Sequence, residues 1–319
     1  MRRRDDELYM ERAVELAIKG MGHTRPNPPV GAVIVKAGKI IGEGYHHRCG
    51  GAHAEVLAIR DAIKRGNSPK GAALYVTLEP CSRPGRVGAC TQAIIESGIK
   101  KVCFACYDPN PKNFDKAKKI LTEHGIEVRS EVGREMADSI IRGFAKHQAT
   151  GLPYVSVKIA MSLDGKICDD YGDARWISSK ESREKFGLLR GRVDAIMVGA
   201  ETIRKDDPSL LCHYKRNNDL IRVIISKSNK LPKGAQVFTD GAPNQTIVYR
   251  DIKTAMEDLG KRGITHVLCE GGLKLAVSMA EAGYVDEWIS IVAPKIIGKR
   301  HIEEAISFRG KDETATFLK

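Results

Sequence analysis

Short apolar runs alternate with amphipathic stretches along the whole chain, and that alternation restricts the fold more than any other feature. "PPVGAVIVKAGKIIGEGYH" holds two apolar runs around Ala37 and Gly38 and predicts a hairpin. "AHAEVLAIRDAIKRG" predicts a helix ended by Gly66. "AALYVTLEP" predicts a strand stopped by Pro80, and "ACTQAIIESG" a helix with Gly98 beyond its end. "KKVCFACYD" predicts another strand, and "FDKAKKILTEHG" a helix before "IEVRS". The opening "MRRRDDELYMERAVELAIKG" predicts an amphipathic helix, with Leu8, Ala13, Leu16 and Ala17 able to share a face. Residues 1–147 therefore read as an α/β sandwich.

"KHQATGLPYVSV" is polar, carries Gly151 and Pro153, and reads as a boundary. Beyond it the pattern restarts. "YVSVKIAMS", "VDAIMVG", "IRVIIS", "QTIVYR" and "ITHVLCE" predict strands; "SKESREKFGLLRG" and "LKLAVSMAEAG" predict helices. A second α/β domain over residues 148–319 follows, and 319 residues suit two domains. The net charge of +12 favours anionic partners, including phosphorylated small molecules. Beyond "MRRR" there is no long basic block, so a dedicated nucleic-acid surface is not indicated. No apolar stretch approaches the ~20 residues of a membrane helix. The start lacks the apolar segment of a secretory signal, and eight cysteines then point to reduced thiols or a metal site. The cytoplasm is the expected compartment.

"GAHAEVLAI" places His53 and Glu55 at the start of a predicted helix. Cys81 follows Pro80 at the end of a strand, and Cys90 begins the next helix. Each residue alone reads as packing or surface. Together, one imidazole and two thiolates form a three-ligand zinc set that leaves a fourth position for water. Zinc lowers the pKa of such a water to about 7. Glu55, which does not bind the metal in this reading, is placed to carry protons to a leaving amine. The H-x-E and P-C pattern is that of the zinc-dependent deaminases. Cys103 and Cys106 have redox-motif spacing but sit in a predicted strand and read as core packing.

Editing and nucleoside deaminases usually separate their two cysteines by two residues, whereas "CSRPGRVGAC" separates them by eight. That loop, with "RPNPPVG", "GEGYH" and "YDPNP", resembles the deaminase half of the bifunctional riboflavin-biosynthesis deaminase/reductase family. The resemblance implies a cytidine-deaminase-like α/β/α domain acting on a diaminopyrimidinone that bears a phosphoribosylamino group. It implies zinc on His53, Cys81 and Cys90, proton transfer by Glu55, and substrate contacts from Asn27, His46, Arg83 and Arg86. Arg83 stands where the family usually has histidine, and "KNFDKAKKIL" replaces a glycine-containing turn after "DPNP".

In the second half, "KIAMSLDGK", "DARWISSKESREKFGLLRGRVDAIMVGAETIRKDDPSL" and "VLCEGGLKLAVSMAEAG" occur in the order of the same family's reductase half. That half is dihydrofolate-reductase-like, and the resemblance implies NADPH-dependent reduction at C1′ of the ribosyl chain. By position, Ala160, Trp176, Thr202, Asp206, Lys227, Gly271 and Gly272 match cofactor contacts. Lys158, Arg190, Leu210, His213 and Glu270 match substrate contacts. Ala174, His213 and Lys227 replace the usual family residues, and a lysine at 227 suits the 2′-phosphate of NADPH. Read alone, Glu270-Gly271-Gly272 is equally a tight turn, and it is not a dinucleotide fingerprint. The expectation is a homo-oligomer, dimer or tetramer, with no nucleic-acid or membrane partner. Two alternatives stay open: a nucleic-acid-editing deaminase with an accessory domain, and a reductase with a degenerate deaminase half.

Overall fold

In the computed structural model, β1 (Gly31–Lys36) is buried on both faces. The structure describes residues 3–83, 88–171, 177–212, 220–241, 245–299, 306–307 and 314–318. Successive residues of a strand point to opposite sides. Ala32 and Ile34 therefore enter one apolar cluster, and Val33 and Val35 a second. The first cluster is closed by α2 (Ala54–Lys64), α3 (Cys90–Ser97) and α4 (Lys116–Glu123). The second is closed by α1 (Arg3–Gly20) and α5 (Arg134–Thr150). Between the layers lie β1, β2 (Lys39–Tyr45), β3 (Ala73–Leu78), β4 (Lys101–Cys106) and β5 (Glu127–Arg129), in the order β2-β1-β3-β4-β5. β1 is antiparallel to β2 and β3, while β3, β4 and β5 run parallel. This is the expected α/β/α sandwich. Ala37 and Gly38 join β1 to β2 with φ of 49° and 77°, the two positive values that a tight hairpin turn requires.

Two expectations change. Leu8 is 58% exposed, and Met10 takes its place on the buried face beside Ala13, Leu16 and Ala17. The "KHQAT" stretch read as linker is the last turn of α5, which Gly151 terminates in the left-handed conformation. The expected boundary at 147/148 thus falls inside a helix, and the chain divides into Met1–Gly151 and Leu152–Lys319. Ala137, Ile140, Ile141 and Phe144 carry the helical spacing that identifies α5.

The second unit is built on β6 (Tyr154–Ser162). Val155, Val157 and Ile159 face one cluster, leaving Lys158 and Ala160 on the other side. α6 (Lys180–Gly187) and a short 3-10 turn, Leu188–Arg192, precede β7 (Ala195–Gly199) and α7 (Ala200–Asp206). Then come β8 (Ile221–Ile225), α8 (Gln236–Thr239), β9 (Thr246–Tyr249), α9 (Ile252–Lys261), β10 (His266–Cys269), α10 (Leu273–Glu281) and β11 (Glu287–Ala293). β12 (Lys295–Ile296) pairs with β13 (Ile306–Ser307), and β14 (Thr314–Leu318) follows. The main sheet runs β14-β11-β6-β10-β7-β8-β9, all parallel except β14. The parallel strands explain the near-continuous apolar runs of this half.

In the first unit, α2 lies directly on β2. A Cβ on Gly42 would stand 2.4 Å from the Ala58 carbonyl oxygen, and one on Gly44 2.5 Å from that of Ala54. Ala54, Ala58 and Ala62 form the facing stripe at a spacing of four. Glycine against alanine lets the two backbones touch, and this sets where α2 begins. Gly44→Ala should therefore destabilise the protein by about 1–3 kcal/mol in urea unfolding, as overpacking does. Gly234→Ala, where the added carbon meets nothing within 4 Å, should stay within about 0.5 kcal/mol. Equal midpoints for the two variants would contradict the close packing of α2 on β2.

Candidate active site

His53 is the N-cap residue of α2, Cys81 lies three residues past β3, and Cys90 opens α3. The fold brings them together. His53 Nδ1 is 3.2 Å from Cys90 Sγ and 3.5 Å from Cys81 Sγ, and the three donor atoms lie within 4.8 Å of one another. Among the described residues this is the one cluster of at least three such donors. Zinc bonds of ~2.0–2.3 Å at tetrahedral angles put neighbouring donors about 3.6 Å apart, so the set fits that ion. The Cys90 amide, at the N-terminus of α3, donates to Cys81 Sγ at 3.3 Å. The Cys90 thiol and then His53 hold Cys81 well below the usual thiol range.

Glu55 stands in the first turn of α2 and is 3% exposed. Burial, then the neighbouring Cys81, push its carboxyl up to about 7. His46 is buried beside it, with its ring edge-on to His53. His46 Nδ1 lies 3.1 Å from the Ala52 carbonyl, which can only accept, so Nδ1 carries the proton. Nε2 is then the acceptor for the Asn27 side-chain amide at 3.1 Å. Burial holds the His46 pKa down, consistent with this neutral ring.

These residues line one cavity of about 280 Å³, together with Pro26, Pro28, Val30, Leu78, Glu79, Asp108, Asn110, Phe144 and Gln148. A larger groove of about 600 Å³ runs along Val56, Ile59, Ile63 and Ala93, but none of the metal donors lines it. The chemistry therefore belongs to the smaller cavity. Arg83 is exposed and does not line it; Arg86 lies outside the described residues. Glu79, Asp108 and Asn110 were not singled out from the sequence. Glu79 is 2% exposed and accepts from the backbone N–H groups of Asp108 at 3.2 Å, Asp115 at 3.0 Å and Ala117 at 3.0 Å. It thereby ties the loop after β4 to the end of β3. Asp115 takes the left-handed conformation at φ 55°, so the loop keeps the backbone a glycine would give. Phe144 and Gln148 come from α5, which the sequence reading had not separated from the linker.

In the second unit, Glu270 directly follows β10, and Gly271 and Gly272 lead into α10. Arg190 Nη2 and Nε lie 2.6 and 2.9 Å from Glu270 Oε2, and Arg190 Nη1 donates to the Leu211 carbonyl at 3.3 Å. Burial pushes Glu270 up, but Arg190 and then Lys158 outweigh it and hold the carboxylate below its usual range. Lys158, Arg190 and Glu270 thus form one charged group. Leu210, beside Leu211, is buried with φ at 57°. Thr202 and Asp206 are on α7, Lys227 is exposed just past β8, and Ala160 packs beside Phe186, Ile289 and Ile291. Ligands of open parallel sheets bind beyond the carboxyl ends of the strands, where α7 and α10 begin. Gly272 caps α10 with no side-chain hydrogen bond, and a Cβ there would meet nothing within 4 Å. The first amides of α10 and this open backbone suit a cofactor phosphate. Ala174, Trp176 and His213 lie outside the described residues.

Comparison with known proteins gives two family matches. The RibD C-terminal domain matches residues 153–316, and the cytidine and deoxycytidylate deaminase zinc-binding region matches residues 3–106. The chain is 38% identical to the riboflavin biosynthesis protein RibD of Aquifex aeolicus, over 98% of this chain and 96% of that protein. It is 36% identical to RibD of Escherichia coli, over 92% and 89%. Among solved structures it is similar to a diaminohydroxyphosphoribosylaminopyrimidine deaminase/5-amino-6-(5-phosphoribosylamino)uracil reductase from Thermotoga maritima. That match has a TM-score of 0.86 and 38% identity, covering 94% of this chain and 89% of the other. Acinetobacter baumannii RibD gives a TM-score of 0.82 and 35% identity, covering 98% and 92%.

The geometry separates Cys81 and Cys90 from Cys103 and Cys106. Cys103 and Cys106 are buried in the apolar cluster under α1 and α5, as the sequence reading expected. Zinc measured on the purified protein should therefore be lost in Cys90→Ala and kept in Cys103→Ala and Cys106→Ala. Loss of zinc in either core variant while Cys90→Ala keeps it would refute the assignment.

Proposed function

The chain belongs to the RibD family of riboflavin biosynthesis, whose members are bifunctional deaminases and reductases, and from that premise we propose how its residues divide the work. The first unit removes ammonia hydrolytically from 2,5-diamino-6-(5-phosphoribosylamino)pyrimidin-4-one. The second reduces the ribosyl side chain with NADPH to give 5-amino-6-(5-phosphoribitylamino)uracil. The observation that carries this reading is the convergence of His53, Cys81, Cys90 and Glu55 on one cavity, in a chain whose other half matches the RibD C-terminal domain. That second match also sets aside a nucleic-acid-editing enzyme, and the intact donor set speaks against a degenerate first half.

His53, Cys81 and Cys90 would hold zinc, which when bound supplies a water of pKa about 7. Glu55 faces the same cavity two residues beyond His53 and would carry a proton to the departing amine. Asn27, fixed through His46, and the Asp108 and Asn110 side chains offer polar groups to the pyrimidine ring. Asp108, an acceptor, suits the ring's amino and N–H groups. In the second unit, NADPH supplies the hydride when bound. Gly271, Gly272 and the start of α10 would cradle it, and by family position Ala160, Trp176, Thr202, Asp206 and Lys227 would be further contacts. Lys158 and Arg190 bind the substrate's anionic end, Leu210 and His213 are further substrate contacts by family position, and Glu270 holds the Arg190 fork in place. By family position Arg83, exposed outside the cavity, and Arg86 are assigned to the phosphate of the first substrate, which extends beyond the pyrimidine ring.

The reading includes a cytoplasmic homo-oligomer. The cysteines are free thiols, and no described helix is long and apolar enough to cross a membrane.

Two variants test the division. Glu55→Gln should keep zinc while ammonia release falls by about 10²–10⁴-fold. Arg190→Lys keeps a charge opposite Glu270 but removes the planar fork, so NADPH oxidation should fall at unchanged ammonia release. Normal ammonia release by Glu55→Gln, or loss of both activities in folded Arg190→Lys, would contradict the assignment.

A further inference from the structure

Asn113 is 6% exposed and lies in the loop between β4 and α4, far in sequence from the metal donors. Its side-chain oxygen accepts from the Ser82 amide and the Ser82 hydroxyl, both at 2.7 Å. Its side-chain nitrogen donates to Asp108 Oδ2 at 3.0 Å and approaches the Pro80 carbonyl at 3.5 Å. An asparagine amide has two acceptor sites and two donors, and all four are engaged here. The orientation is unambiguous. A backbone N–H can only donate, so the oxygen faces Ser82; a carboxylate and a carbonyl can only accept, so the nitrogen faces Asp108 and Pro80. The oxygen half thus grips the residue that follows the metal donor Cys81. The nitrogen half grips a carboxylate that lines the cavity.

We propose that Asn113 is a positioning residue of the deaminase site, holding Asp108 toward the pyrimidine and Ser82 behind Cys81 with a single buried amide. The proposal rests on the function assigned above. The Asn110 backbone N–H donates to Asp108 Oδ1 at 2.9 Å and the Asp108 backbone N–H donates to Glu79 at 3.2 Å, so the loop path is held independently and Asn113 holds the second carboxylate oxygen, Oδ2. The two halves of the amide have separable consequences. Removing the nitrogen half should affect the fit of the substrate; removing both halves should also loosen the metal.

The test compares Asn113→Asp and Asn113→Leu in the full-length zinc protein. Asn113→Asp keeps an acceptor for Ser82 but sets a second carboxylate against Asp108. It should hold zinc like the wild type, with KM for the diaminopyrimidine phosphate raised about 10–100-fold, the worth of one hydrogen bond to a charged group, and kcat little changed. Asn113→Leu should show the raised KM and also release zinc faster to a chelating dye. NADPH oxidation with the already deaminated pyrimidine should be unchanged in both, which separates positioning from general unfolding. A wild-type KM in Asn113→Asp, a fall confined to kcat, or parallel loss of NADPH oxidation would overturn the proposal. If the wild-type protein releases no ammonia from this pyrimidine, the assigned function fails. The zinc-release comparison then decides the Ser82 half alone, and wild-type release from Asn113→Leu would overturn it.

Discussion

One imidazole nitrogen and two sulfurs can share an ion only if three separate elements end at the same place. In this protein the start of α2, the loop after β3 and the start of α3 do so. The position of α2 depends on a backbone contact that any side chain at Gly42 or Gly44 would prevent. The position of Cys81 depends in part on the Cys90 amide, which donates to its sulfur from a helix N-terminus. Such an amide favours the thiolate, the form that binds a metal. The sheet, the glycines and the helix starts are thus parts of one arrangement, and Glu55 is carried into the cavity by the same helix that places His53.

A second layer of buried polar groups gives that cavity its far wall. Glu79 accepts three backbone amides from the segment that runs from Asp108 into α4. A buried carboxylate left unpaired would be costly, so this pairing both stabilises the loop and fixes where Asp108 stands. In the other unit the Arg190–Glu270 pair plays a comparable part. It brings a cation to the end of a parallel sheet and keeps it there with a partner that is itself nearly buried.

The sequence made the metal donors legible because their chemistry leaves few other uses for an H-x-E and two spaced cysteines at element ends. Strand and helix alternation was legible for the same kind of reason: β1 buries both faces and so reads as an apolar run. Charged side chains that act through backbone amides were not legible. Glu79 sits in "TLEP" and looks like the polar end of a strand; its three partners lie 29 to 38 positions away. Asp108 and Asn110 were seen as a motif but not as a wall of the cavity. α5 was missed because the polar "KHQAT" resembles a linker, although Ala137, Ile140, Ile141 and Phe144 mark its buried face. Leu8 was placed inside by spacing alone, whereas Met10 packs there.

X-ray absorption at the zinc edge of the purified protein tests the account at its centre. The arrangement predicts two sulfur ligands at about 2.3 Å and two nitrogen or oxygen ligands near 2.0–2.1 Å, one from His53 and one from solvent. Four sulfur ligands, a single sulfur, or no zinc at all would contradict it.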